Sequence, residues 1–232
     1  MDSTRKISLT AGLLYLLTFV SIPTLGLYGA VHDPNYIVGP GPDTPVLIGA
    51  VLEIIVALAG IGTAVALYPV VKRQNEGVAL GLVGARVLES GANFAGVVCL
   101  LALVTLRQAG VGAEALVTGR ALVALYDRFF LAQSLMPVVC ALLLGSLLYR
   151  SRLVPRVLPL LAFIGAPLLL AGTLATMFGI IDRSSGLAAL SAFPDALWEF
   201  SLGVWLVVKG FNPSAVTALF AKTETNEPLS AA

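Results

Sequence analysis

The chain has 232 residues, 58% of them apolar and only 12% charged, with a mean hydropathy of +0.94. A water-facing domain carries about 45–50% apolar and about 25% charged residues, so a soluble globular surface is excluded. The net charge of +1, from 14 Lys and Arg against 13 Asp and Glu, offers no basic field for nucleic acid. One His and two Cys leave no basis for a Cys/His zinc site or a disulfide scaffold. The expected class is all-α, a polytopic transmembrane helical bundle whose immediate partner is the lipid bilayer, with no cofactor and no metal indicated.

A membrane-spanning helix needs about 20 mostly apolar residues at about 1.5 Å each. Six stretches meet this: residues 9–30, 46–71, 78–106, 121–149, 157–181 and 190–209. The third and fourth are long enough to tilt or to run past the lipid. The first resembles a signal peptide in its Arg5-Lys6 start, but apolar residues resume through Leu25 and Leu27 and no clean cleavage site follows, so it is read as a retained span. The segment 107–120, rich in glycine, is either a loop or a short interfacial helix. Breakers mark the other connections, at Asp33-Pro34-Asn35, Gly39-Pro40-Gly41-Pro42-Asp43 and Asp182-Arg183-Ser184-Ser185-Gly186. Pro23 and Pro137 are the candidate breaks inside spans. Residues 1–212 form one domain on this reading, and 213–232 a polar, disordered tail.

Basic residues set the expected orientation. Arg5, Lys6, Lys72, Arg73, Arg150, Arg152, Arg156, Lys209 and Lys222 fall on one side of a six-span arrangement, against Arg107, Arg120 and Arg183 on the other. Nine against three places both termini in the cytoplasm. Aromatic residues beside the basic ones (Tyr68, Tyr149, Trp205) read as anchors at headgroup level.

Ionisable side chains inside spans are costly and mark candidate sites. The third span carries Arg86, Glu89, Ser90 and Asn93 at i, i+3, i+4 and i+7, one face of a helix. Glu53 in the second span shares its face with Ala57, Gly60 and Ala64, small residues that let a neighbouring backbone approach; spans two and three should pack as a tight hairpin. Rise from the span ends puts Glu53 about 10 Å and Glu89 about 16 Å deep. The sixth span places Asp195, Trp198, Glu199 and Leu202 on one face, with Phe200 alongside. Asp127 and Arg128 in the fourth span lie nearer the rim, where they can cancel one another, and the fifth span is scaffold. Glu53, Glu89 and Glu199 are three deep carboxyls facing one deep cation, Arg86. Desolvation then leaves at least one carboxyl protonated, able to donate a hydrogen bond or act as a general acid. Cys99 and Cys140 read as reduced packing residues and His32 as a solvated loop residue. The bland alternative is that buried Glu, Asn and Ser merely staple helices, at about 0.6 kcal/mol per bond.

The runs Leu67-Tyr68-Pro69-Val70-Val71-Lys72-Arg73-Gln74-Asn75-Glu76-Gly77, Ala85-Arg86-Val87-Leu88-Glu89, Leu148-Tyr149-Arg150-Ser151-Arg152-Leu153-Val154-Pro155-Arg156 and Trp205-Leu206-Val207-Val208-Lys209-Gly210 resemble a bacterial family of six-helix membrane proteins known as domain of unknown function 4386. The resemblance extends to about Asn212 and implies six spans and the grouping of Glu53, Arg86, Glu89 and Glu199. It implies no reaction.

Three functions compete on these residues. The first is an intramembrane Glu/Arg/Asn cavity that binds a lipid-like or amphipathic small molecule, with Asn93, Asp127, Arg128, Asp195, Trp198 and Phe200 as lining. The second is a membrane-embedded enzyme, such as a terpene cyclase or isomerase, using Glu53, Glu89 or Glu199 as general acid beside Arg86, with aromatic faces for a developing cation. The third is a structural membrane subunit.

Overall fold

A computed structural model describes residues 3–110 and 112–226, and among them every regular element is helical. Helix α1 (Ser3–Leu17) passes through a 3-10 turn at Thr18–Ser21 into the one-turn α2 (Thr24–Leu27) and a second 3-10 turn at Gly29–His32. The long hairpin α3 (Thr44–Val71) and α4 (Glu76–Gln108) follows, then α5 (Leu116–Gln133), α6 (Met136–Ser151), α7 (Val157–Met177), α8 (Gly186–Val208) and α9 (Pro213–Asn226). Five units are long and apolar enough to cross a membrane: Ser3–Leu27, Thr44–Val71, Glu76–Gln108, Ala113–Ser151 and Val157–Met177. Gly186–Val208 qualifies together with the start of α9, from which it is bent by 93°, giving up to six.

Three expected elements differ from those observed, each for a local reason. The first span does not run as a helix to residue 30. Thr18, Ser21 and Thr24 each turn a hydroxyl back onto the carbonyl three residues earlier (2.7, 3.2 and 2.7 Å), and Pro23 has no N–H to give, so the chain tightens into short turns after Leu17. The fourth span is two helices. Pro137 at the start of α6 cannot bond to residue 133, and the chain breaks at Ser134 and Leu135, where the Ser134 hydroxyl donates to the Phe130 carbonyl (2.7 Å). The segment after Asn212 is not a disordered tail as far as Asn226. Asn212 caps α9 by accepting from the backbone and hydroxyl of Ser214 (3.2 and 2.9 Å), and Leu219, Ala215 and Val216 pack onto the bundle. Phe220 lies under the Arg73 guanidinium at 3.8 Å. Residues 227–232, the remainder of the expected tail, lie outside the described residues.

Helices α1, α3, α4, α6, α7 and α8 form a closed circuit of neighbours, each packed on the next, and α5 lies against α4. Small residues fix the close crossings. A Cβ on Gly12 of α1 would meet the Gly203 carbonyl at 2.8 Å, and one on Gly165 of α7 would meet the Asp195 amide nitrogen at 2.8 Å, both on α8. Two apolar cores result. One draws on all six circuit helices and includes Tyr15, Leu67, Leu82, Leu144, Trp198 and Leu206. The other belongs to α3, α4, α5 and the 28–37 segment, around Tyr28, Leu100, Leu103 and Tyr126.

At the end served by the second core, Arg107 clamps the loop that precedes α3. It donates through Nε to Asp43 (2.7 Å) and through its terminal nitrogens to the carbonyls of Gly39 and Gly41 (2.8 and 2.7 Å). Burial works against the Asp43 charge, but hydrogen bonds from Gln108, Arg107 and Tyr36 outweigh it and hold the carboxyl below its ordinary value of 3.8. Burial and the neighbouring carboxylate push the Tyr36 phenol up to about 12.

Two outcomes follow from this packing. Gly12→Ala should cost about 1–3 kcal/mol in thermal unfolding in detergent, because backbone must move, whereas Gly84→Ala, with open space around it, should cost nothing. Because the folded Asp43 carboxyl ionises below its unfolded value, its stabilisation is complete above that value and is lost as pH falls through the depressed one. Proteolysis of the 33–43 loop should therefore be slow from neutral pH down to about pH 4, in the ordinary Asp range, and accelerate below it. In Arg107→Ala the loop should be cleaved fast at every pH.

Candidate functional site

The helical face foreseen on α4 is present, and its center is Arg86, only 4% exposed. The guanidinium reaches in two directions. One terminal nitrogen donates to both oxygens of Glu89 on the next turn (3.2 and 3.0 Å). The other donates to Glu199 on α8, a helix that is not a neighbour of α4 in the circuit, so this ion pair spans the bundle interior. The Tyr15 ring on α1 lies 5.6 Å from the guanidinium carbon, and the Cys140 thiol on α6 is 3.9 Å from Glu89. Asp195, one turn before Glu199, is buried beside the close α7 crossing, and its Oδ1 has no hydrogen-bond partner. Trp198, on the same helix, is fully buried in the larger core. Two helices, α4 and α8, thus deliver one cation and three carboxyls, and α1 and α6 add Tyr15 and Cys140 beside them. Glu89 and Glu199 retain 21% and 17% side-chain exposure.

Glu53 does not join this group. The Ser90 hydroxyl donates to the Ala57 carbonyl at 2.8 Å, which sets the hairpin register and confirms the tight packing of α3 on α4. That register puts Glu53 opposite residue 94, roughly 12 Å along the axis from Arg86. There Glu53 accepts from the Tyr126 hydroxyl (3.4 Å), and Tyr28 stands edge-on to Tyr126 at 5.5 Å. The expected cancellation of Asp127 by Arg128 is also overturned. Residues one apart on a helix point about 100° apart; Asp127 turns to Arg183 (2.6 Å) and His32 (3.4 Å), while Arg128 is exposed. Arg183 also covers the Phe130 ring at 3.9 Å. Phe200 points away from the carboxyls, half exposed and edge-on to Phe19 at 5.4 Å.

Between the two cores the side chains form a polar layer. Arg86, Glu89, Ser90 and Asn93 occupy the stretch of α4 between Ala85, in the first core, and Val97 and Cys99 above it. Four buried atoms on these helices have no hydrogen-bond partner among the described residues: Arg86 Nε and Asp195 Oδ1 at the ion cluster, Asn93 Oδ1 about 10 Å further along α4, and Gln133 Oε1 at the end of α5. Each such group in hydrocarbon costs on the order of 1–3 kcal/mol or more. Gln133, Tyr15 and Cys140 were not singled out in the sequence as site residues. Tyr15 carries no signal there, whereas Gln133, a lone amide just before the Pro137 break, does.

A mostly buried ion cluster at the center of such a circuit of apolar helices defines a multi-pass membrane protein built around an intramembrane charge. Residues 10–210 match the family described as Domain of unknown function (DUF4386), and the chain belongs to that family. No curated protein and no solved structure matches it.

Removing Arg86 leaves three carboxyls without their cation, so Arg86→Met should lose about 3–5 kcal/mol in chemical unfolding in mixed micelles. Glu53→Gln, whose partner is a neutral phenol, should lose about 1 kcal/mol. Equal losses would show that the cluster is no more important than the outer carboxyl.

Proposed function

We propose that the polar layer holds the head of a lipid-like or amphipathic small molecule, with Arg86, Glu89, Glu199, Asp195 and Asn93 as its receptor. The observation that carries this is the buried Arg86–Glu89–Glu199 ion cluster with unpartnered Arg86 Nε and Asp195 Oδ1 beside it, and with unpartnered Asn93 Oδ1 two turns further along α4. A staple that only joined helices would satisfy its own atoms; these groups make donors and acceptors available to something else. The three carboxyls exceed the one guanidinium in charge, which favours a head that brings a proton, a hydroxyl or a positive group. Partial exposure of Glu89 and Glu199 favours its entry, and the surrounding apolar helices suit a tail. Glu53 is engaged by Tyr126 and lies roughly 12 Å along the axis from Arg86, beyond the ion cluster. Phe200, facing elsewhere, adds nothing to a cation-stabilising chamber, so binding is favoured over cyclisation chemistry.

Mass spectrometry of small molecules copurified with the protein tests this. Asp195→Leu and Asn93→Leu, which replace unpartnered groups without breaking an ion pair, should lose the copurifying molecule by at least tenfold while keeping wild-type helicity. Glu53→Gln should retain it. Retention in both Leu variants would sink the proposal, and so would the lack of any selectively copurified molecule in the wild type.

A further inference from the structure

We infer that the basic end of the bundle carries a second, separate binding site, for the phosphate-bearing head of an anionic phospholipid. The site is an open groove of about 540 Å³ between the α6–α7 connection and the turn from α8 into α9. That size falls within the range of small-molecule sites. Its lining divides into two chemistries. Arg152, Arg156 and Lys209 supply three cations, and Pro155, Trp205 and Pro213 supply apolar surface over the buried Leu153, Val154 and Phe211.

Three features make this more than a patch of surface charge. First, the groove is shaped by backbone held in place from below. The Asn212 amide donates to the Leu153 carbonyl (2.8 Å), tying its two sides together, and the Trp205 indole donates to the Gly210 carbonyl (3.1 Å). Gly210 (φ 75°) and Arg152 (φ 55°) both adopt the left-handed conformation that turns the chain there, which for Arg152 is unusual. Second, the cations are uncommitted to acids. Among the described residues none of the three forms an ion pair, and only Arg156 has an aromatic neighbour, Tyr149 at 4.9 Å. By contrast Arg5, at the adjoining surface, is consumed in capping the α8 carbonyls of Leu206 and Val207. Third, the position suits a lipid. The groove sits where the helices end, among the aromatic residues Tyr149 and Trp205 that settle at headgroup depth. A phosphate paired with three cations and acyl chains along Pro155, Trp205 and Pro213 satisfy both halves of the lining.

The site is distinct from the polar layer, because the larger apolar core, with Leu144, Leu148, Leu202 and Leu206, fills the space between them. Its test therefore does not depend on that proposal.

The full chain in nanodiscs of neutral phosphatidylcholine containing one-tenth phosphatidylglycerol is the system to use, with retained lipid counted by native mass spectrometry. The exposed triple variant R152Q/R156Q/K209Q should retain at least tenfold less phosphatidylglycerol than wild type. A matched triple variant at the same end but outside the groove, K6Q/K72Q/R150Q, should retain it as wild type does. Equal loss in both variants would reduce the effect to diffuse electrostatics and overturn the site. No loss in the groove variant would overturn it directly. Inorganic phosphate at millimolar concentration should not displace the lipid; displacement would assign the groove to a free phosphate instead.

Discussion

A buried guanidinium in a hydrocarbon-embedded bundle must be neutralised where it stands, and Arg86 meets this condition with one carboxylate from its own helix and one from across the interior. The local half, Glu89, is secured by helix periodicity alone. The distant half, Glu199, requires α8 to present the right turn to α4 although the two helices do not pack on each other. That demand propagates outward. Gly12 and Gly203 let α1 and α8 approach closely, Gly165 lets α7 approach α8 at Asp195, and Trp198 is buried in the same core. The ion pair thus sets how the circuit closes, because a charge left unpaired there would cost several kcal/mol.

The same requirement explains why the two apolar cores do not merge. Dry packing continues along each helix until the polar level, stops, and resumes beyond it on α3, α4 and α5 only. A layer of this kind with unmet hydrogen-bonding capacity is expensive unless something occupies it, which makes it the place to look for function. The basic groove lies outside this cost. Its cations face solvent and headgroups, so they need no internal partner, and their lack of one is informative only because the backbone has built a recess around them.

Much of this was legible in the sequence, and the boundary is physical. Spacing of three and four residues placed Arg86, Glu89, Ser90 and Asn93 on one face, and likewise Asp195 and Glu199, because those relations lie within a single helix. The hairpin of α3 and α4 followed from its small residues. What spacing could not supply was register between helices. Counted from opposite edges, Glu53 at about 10 Å and Glu89 at about 16 Å both fall near mid-membrane, yet the Ser90 to Ala57 hydrogen bond puts Glu53 in the tyrosine cluster. Asp127 and Arg128 are adjacent in the chain and diverge in space for the opposite reason. The break after Leu17 did have a signal, the hydroxyls of Thr18, Ser21 and Thr24 at intervals of three, and so did α9, whose Ala215, Val216, Leu219 and Phe220 make an apolar face ahead of a polar end. Composition averaged over the whole segment hid both.

The central claim, that the protein completes its polar layer with a molecule from outside the chain, is tested most directly by an experimentally determined structure of the protein in lipid nanodiscs at a resolution that shows ordered water. The account predicts non-protein density within hydrogen-bond distance of Asp195 Oδ1 and Asn93 Oδ1, continuing as an elongated tail between the helices. A layer closed by protein side chains, or one holding isolated waters and nothing else, would contradict it.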